Sequence, residues 1–253
     1  MKLLLTSAGI TNRSLAAALK RLVRGEMKIA FIPTSADIGG GSKDWLIKNY
    51  NECERLGTVD IVDISAVGRR EWLPRLEWAN VIVMGGGGRG IAHLMRWIRK
   101  SGLEMELPRL LRSRVYVGIS AGSIVVSKRL SASSNILYGR KAATAQRGLG
   151  YVDFYVRPHL NKRYGKGQSP HTDRSIREHL DRIDGDLYAI DDNTGILFLD
   201  GKAVVISEGK WRRYARLNKK AALGNMRTRI KRLKPVLDRI SNEEAIEAIK
   251  SDR

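Results

Sequence analysis

One cysteine, Cys53, stands in the 253 residues. Its solitude excludes an internal disulfide and a multi-thiolate metal site. The surrounding Asn51-Glu52-Cys53-Glu54-Arg55 reads as ordinary helix. With no paired base or cationic neighbourhood to lower its pKa, the thiol is expected to be structural. Long apolar runs are missing too: no stretch reaches the roughly 18 to 20 residues that span a bilayer. Leu3-Leu4-Leu5 lacks the apolar length and cleavage site of a secretory signal, so a cytoplasmic protein without a membrane partner is expected. Acidic side chains are scarce, 26 against 46 Lys plus Arg, for a formal charge of +20. Such a surface favours anions, acidic substrates or nucleic acid, without identifying any of them. Residues 208 to 253 carry 14 basic and 6 acidic side chains, and the first 207 residues are basic as well. Internal repeats and low-complexity linkers are absent from the sequence. What is present, 43% apolar residues, excludes disorder as the default and fits one globular domain with a substantial core and an appendage.

Short β-branched runs alternate with longer amphipathic stretches. Lys2 to Ser7, Lys28 to Pro33, Val59 to Ile64, Val81 to Met84 and Val115 to Ile119 read as strands, nearly all apolar on both faces. Asn12 to Val23, Lys43 to Leu56, Ile91 to Ser101 and Ala121 to Lys128 read as helices. Buried strands separated by helices predict a doubly wound α/β fold, with a mainly parallel sheet covered on both faces. After residue 185 the strands become closely spaced: Leu187 to Ile190, Gly195 to Leu199 and Ala203 to Ser207, with Asp200-Gly201 as a hairpin turn. These predict an antiparallel edge on the same sheet. Beyond Trp211 the chain is rich in Lys and Arg and reads as helical, and Ser241-Asn242-Glu243-Glu244 caps a last short helix. The expected organisation is an α/β hydrolytic domain over 1–208 and a basic, mainly helical C-terminal extension over 209–253.

The segment Gly118-Ile119-Ser120-Ala121-Gly122 matches G-x-S-x-G between a buried strand and a helix, the setting of a nucleophile elbow. A serine on so sharp a turn takes a strained backbone, and the glycines let neighbouring chains approach it. The bland alternative is a simple tight turn. Serine needs a base, and four histidines are available. His159 follows Pro158 at a strand end, where α/β sites assemble, and is preferred to His171. His93 reads as a packed helix histidine close to the glycine loop, and His179 as helix surface. A carboxylate must orient the imidazole. Asp192 is the first choice and Asp191 the second, with an N-cap or turn role as the alternative for either.

Val81 to Met84 leads into Gly85-Gly86-Gly87-Gly88-Arg89-Gly90, which satisfies G-x-G-x-x-G. The match falls on the fourth strand, and no second strand ending in an acidic residue follows about 20 positions later, which argues against a dinucleotide. The loop reads instead as backbone approaching substrate. Gly86 and Gly87 would supply oxyanion N–H groups opposite that of Ala121. No cofactor and no metal are expected.

These ordered motifs resemble the dipeptidase E (aspartyl dipeptidase) family, which includes cyanophycinase-like enzymes and shares the architecture of class I glutamine amidotransferases. The resemblance runs over nearly all of residues 1–208: Leu3 to Gly9, Ala30 to Ser35, the glycine loop, the serine pentapeptide, Pro158-His159, and Ile190 to Thr194. It implies Ser120 as nucleophile, His159 as general base and a carboxylate at Asp192, where cyanophycinase-like relatives carry glutamate. In the bacterial aspartyl dipeptidases the acid lies shortly after the nucleophile, but Ser131 to Leu137 holds no aspartate here. The chain departs from the family at Gly87-Gly88-Arg89-Gly90, where Gly-Gly-Asn-Thr is usual; the missing asparagine bears on substrate preference and activity. Aspartyl members cleave dipeptides that begin with Asp. Arg89, Asn161, Arg163 and Arg174 are the candidate substrate contacts, and Arg157 is a further cation for the substrate carboxylate, since Arg forks bind carboxylates bidentately; a solvated surface charge is the alternative for each arginine.

The expected function is thus a serine peptidase acting on short peptides, dipeptides with an acidic N-terminal residue, as a monomer or homodimer. One rival is a noncatalytic scaffold whose basic stretch Lys210 to Lys234, with Trp211 and Tyr214 for stacking, binds nucleic acid or an acidic partner. The other, an amidotransferase-like enzyme, needs a cysteine where Ser120 stands.

Overall fold

The computed structural model describes residues 1–87, 90–130, 147–162, 171–178, 180 and 183–215. Lys2–Thr6 (β1), Lys28–Ile32 (β2), Thr58–Ile61 (β3), Val81–Met84 (β4) and Val115–Ile119 (β5) alternate with Arg13–Leu22 (α1), Asp44–Glu54 (α2), Arg69–Trp78 (α3), Ile91–Lys100 (α4) and Leu103–Leu110 (α5). Ala121–Ile124 (α6) follows β5 directly. Then come Tyr155–Arg157 (β6), Asp173–Arg177 (α7), Leu187–Ile190 (β7), Thr194–Leu199 (β8), Lys202–Ser207 (β9) and Trp211–Tyr214 (β10).

Seven strands form the central sheet in the order β3-β2-β4-β5-β1-β8-β9. Pairing is parallel from β3 to β1 and antiparallel across β1–β8 and β8–β9. The pleat sorts the apolar strands between two cores. Leu3, Leu5, Ile82, Met84 and Tyr116 face one buried cluster with α3, α4 and α5, while Leu4, Ile29, Phe31, Val83 and Val117 face the other with α1 and Cys53. This is why the strands read as continuous hydrophobic runs. Asn12 caps α1 by accepting the Leu15 N–H at 3.0 Å. The β8–β9 hairpin turns on Asp200 and Gly201, both at positive φ, as a two-residue primed turn requires.

Three expectations shift. Leu187–Ile190 does not extend the antiparallel edge: it is the middle strand of a separate three-stranded sheet, β10-β7-β6, parallel to β6 and antiparallel to β10. Trp211–Tyr214, expected at the start of a helical stretch, is a strand because its backbone completes the open edge of β7. The helix after the serine ends at Ile124 rather than Lys128. The remainder of the expected basic extension, 216–253, lies outside the described residues. No helix among the described residues is long and apolar enough to cross a membrane.

Candidate active site

Strand β5 is buried along its whole length and delivers Ser120 at its C-terminal end, at φ 50°, ψ −103°. A non-glycine residue held there costs on the order of 1–3 kcal/mol, so the surroundings must enforce it. Ser120 N–H donates to Thr6 O at 3.0 Å, and the Ser123 hydroxyl lies 2.7 Å from Thr6 O and 2.8 Å from Gly118 O. Tyr116 OH donates to Gly122 O at 2.7 Å. The two motif glycines are close approaches: a Cβ at Gly118 would lie 2.8 Å from the Gly122 carbonyl carbon, and one at Gly122 only 2.0 Å from Met84 O.

His159 arrives from the end of β6. Its own φ is 62°, and its N–H donates to the Ser7 hydroxyl at 2.8 Å. The ring spans the nucleophile and an acid: Nε2 is 3.0 Å from Ser120 Oγ, and Nδ1 is 2.6 Å from Asp192 Oδ1. An ionised carboxylate only accepts, so the proton belongs on Nδ1 and leaves Nε2 free to accept from the serine hydroxyl. Burial alone would push the Asp192 carboxyl up. The hydrogen bonds and charges of His159 and Lys162 outweigh burial and hold it well below the usual carboxylate range.

Asp191 is turned elsewhere. Its carboxylate accepts Asn193 N–H at 3.1 Å, Thr194 Oγ1 at 2.7 Å and Lys210 N–H at 2.6 Å, the pattern of an aspartate that organises a turn. Between the two sequence alternatives, the one that meets the imidazole is Asp192.

Gly86 and Gly87 are buried; a Cβ at Gly86 would lie 3.2 Å from Ser120 Cβ, whereas one at Gly87 would run into the Ser35 backbone, 2.1 Å from its carbonyl oxygen. The N–H groups of Gly86, Gly87 and Ala121 meet no acceptor among the described residues. Buried amides without partners are unusual, and a negatively charged oxygen supplied by a ligand would satisfy them.

The remaining candidates separate. Asn161, at φ 63°, donates its N–H to His171 O at 2.7 Å and leaves its side chain exposed. Arg174 lies on α7 with its side chain 91% exposed, 3.4 Å from Glu178. Arg89 and Arg163 lie outside the described residues, as does His179. Arg157, considered as a cation for substrate, is buried within the fold. His171 is buried as well, its ring centroid 6.4 Å from that of His159 and its Nδ1 3.2 Å from Pro158 O. Burial, helped by the Arg157 charge, pushes it down to about 4. His93 pairs with Asp37 at 3.3 Å and packs edge-on against Trp97. Cys53 is buried, its thiol pushed up to about 12 by burial and by Glu52, which agrees with a structural role. Tyr214, offered by the sequence for stacking on a base, is instead buried and donates its hydroxyl to Asp173.

Two polar residues of the site escape sequence reasoning. Ser7 Oγ donates to Asp192 Oδ1 at 2.9 Å while it accepts the His159 N–H, and Lys162 Nζ donates to Asp192 Oδ2 at 2.6 Å. The available signal for Ser7 was its position at the end of β1, immediately beside β5 in the sheet. Together these groups form a relay from hydroxyl to imidazole to carboxylate, capable of nucleophilic acyl transfer.

The family model for peptidase family S51 matches residues 3–206. Among solved structures, the chain is similar to a putative peptidase E from Listeria monocytogenes EGD-e, at 18% identity and a TM-score of 0.64. That match covers 82% of this chain and 98% of the other, and it shows the shared fold. No curated protein matches.

Proposed function

The chain belongs to peptidase family S51 and is a serine-type peptidase, and from that premise we propose that Ser120, His159 and Asp192 carry the reaction on short peptides, dipeptides with an acidic N-terminal residue. The observation that supports this most directly is the unbroken chain of 3.0 Å and 2.6 Å contacts through the imidazole. Ser120 Oγ attacks the peptide carbonyl as His159 Nε2 takes its proton, and Asp192 stabilises the imidazolium. The N–H groups of Gly86, Gly87 and Ala121 receive the oxyanion. The C–N bond then breaks, His159 returns the proton to the leaving amine, and an acyl ester remains on Ser120. Water, deprotonated by the same imidazole, releases the acid and restores the serine.

The preference for an acidic residue draws on the chain's excess of cations and on a carboxylate held by a guanidinium fork. Arg89 follows Gly87 by two residues and Arg163 follows Lys162 directly in the sequence, so these two are the first candidates, and Asn161 and Arg174 are the next. Fluorophosphonate labelling followed by mapping of the modified residue tests the nucleophile. Label on Ser120, lost in Ser120→Ala along with all turnover of an Asp-initiated dipeptide panel, is the expected result. Label elsewhere, or turnover surviving in the variant, would reject it. Equal turnover of Asp- and Leu-initiated dipeptides would reject only the specificity.

A further inference from the structure

We propose that Lys162 is a positioning residue of the triad: its ammonium fixes the second oxygen of Asp192 and offsets part of the negative charge that the imidazole of His159 feels, extending activity to lower pH. The proposal rests on the Ser120–His159–Asp192 reading above.

The two oxygens of Asp192 are gripped separately. Oδ1 receives the imidazole Nδ1 at 2.6 Å and the Ser7 hydroxyl at 2.9 Å, while Oδ2 receives Lys162 Nζ at 2.6 Å. The terminal torsion of an aspartate is broad, so its rotamer preference alone does not set the plane of the carboxylate. Donors on both oxygens do. Without Lys162, the hydrogen bonds on Oδ1 still allow the group to pivot about that oxygen, and the angle at which it meets Nδ1 loosens.

The lysine is placed by the same turn that places the base. Lys162 N–H donates to His159 O at 3.0 Å, closing a four-residue turn through Leu160 and Asn161, the latter at φ 63°. Base and cation therefore move as one unit, and the acid is held between them. The charged or titratable described groups around His159 are Asp192 and Lys162 at its Nδ1 side and His171, its ring centroid 6.4 Å away, which in turn feels the Arg157 charge. His171 stays neutral above about pH 4, which leaves Lys162 as the cation bonded directly to the acid.

The sign of the effect follows. A lone carboxylate beside an imidazole favours the imidazolium, which cannot act as a base; a cation on the carboxylate counters that preference. Removing the cation should therefore move the acid limb of the rate profile to higher pH. The Lys162 side chain is 42% exposed, so solvent screens part of its field. A displacement of about half a pH unit is expected rather than the full unit or more of a buried charge.

The test is the rate constant for fluorophosphonate labelling of Ser120 against pH in the full chain, for the wild type, Lys162→Met and Lys162→Arg. In Lys162→Met the acid limb should rise by about half a unit, with a lower plateau, whereas Lys162→Arg should keep the wild-type limb. A limb unmoved in Lys162→Met would overturn the proposal even if the plateau fell, because loss of packing lowers the rate without changing where the base titrates. A limb displaced equally in Lys162→Arg would overturn it too. Wild-type protein that takes label normally while the variants behave this way leaves the triad intact and removes the lysine's role alone. Wild-type protein that takes no label on Ser120 removes the triad reading, and this proposal with it.

Discussion

At the scale of single residues, neighbouring aspartates with different partners make opposite predictions. Asp192 accepts from the imidazole, and Asp191 accepts from the backbone and a threonine of its own turn. Asp192→Asn should leave the fold in place but offer an amide that stabilises the wrong imidazole tautomer, lowering kcat on the order of 10⁴-fold as in other serine triads. Asp191→Asn should keep serine labelling near wild type and lower the thermal midpoint instead, because an amide has one acceptor oxygen for three donors. Comparable kcat losses in the two variants would contradict the assignment. The serine, the histidine and the acidic pair were legible in the sequence because each follows a strand-like run at a turn. Ser7 and Lys162 were not. A serine after Leu3-Leu4-Leu5-Thr6 and a lysine in a loop acquire meaning only when the ends of β1, β6 and β7 meet, and one sequence does not show which strand ends converge.

At the scale of elements, the elbow depends on how closely β4, β5 and α6 approach one another. A methyl at Gly122 would sit 2.0 Å from the Met84 carbonyl oxygen, a backbone atom that cannot swing aside. Gly122→Ala should force α6 away from β4 and cost at least about 1–3 kcal/mol, the range of overpacked cores. For a chain of this size that lowers the thermal midpoint by several degrees; an unchanged midpoint with normal labelling would show that the turn has room to spare. The same scale explains what the sequence hid. The α3 and α5 helices each contain a proline, Pro74 and Pro108, which removes a helical hydrogen bond and costs about 3 kcal/mol. Burial of Trp72 and Leu76 in the first, and of Leu103, Leu107 and Leu110 in the second, contributes about 1.5–3 kcal/mol per side chain and outweighs it. Strand β7 failed differently. Leu187-Tyr188-Ala189-Ile190 announces a strand buried on both faces, but that pattern is equally satisfied by a central sheet or by a small sheet packed on it.

At the scale of the whole molecule, the buried histidine behind the active site ties global stability to pH. His171 falls from its ordinary 6.5 to about 4 in the folded chain, because burial and the Arg157 charge disfavour its cation. Between those two values the unfolded chain binds a proton that the folded chain refuses, so stability falls as pH drops through that window and is fully present above 6.5. The shift corresponds to a loss of up to about 3 kcal/mol by pH 4. Asp192 acts in the same direction but lower: its folded carboxyl is depressed, so its contribution is present above 3.8 and is lost only as pH falls below that value. The +20 formal charge adds general repulsion as carboxylates protonate, and this background is common to any variant of the chain. Subtracting it requires a partner that keeps the site but does not titrate. Urea midpoints of the wild type and His171→Gln, followed from pH 7 to pH 4, should therefore converge on acidification, the wild type falling more steeply between 6.5 and 4. Parallel curves would mean that His171 accepts its proton without opening the fold, and that the ring is wetter than its burial implies.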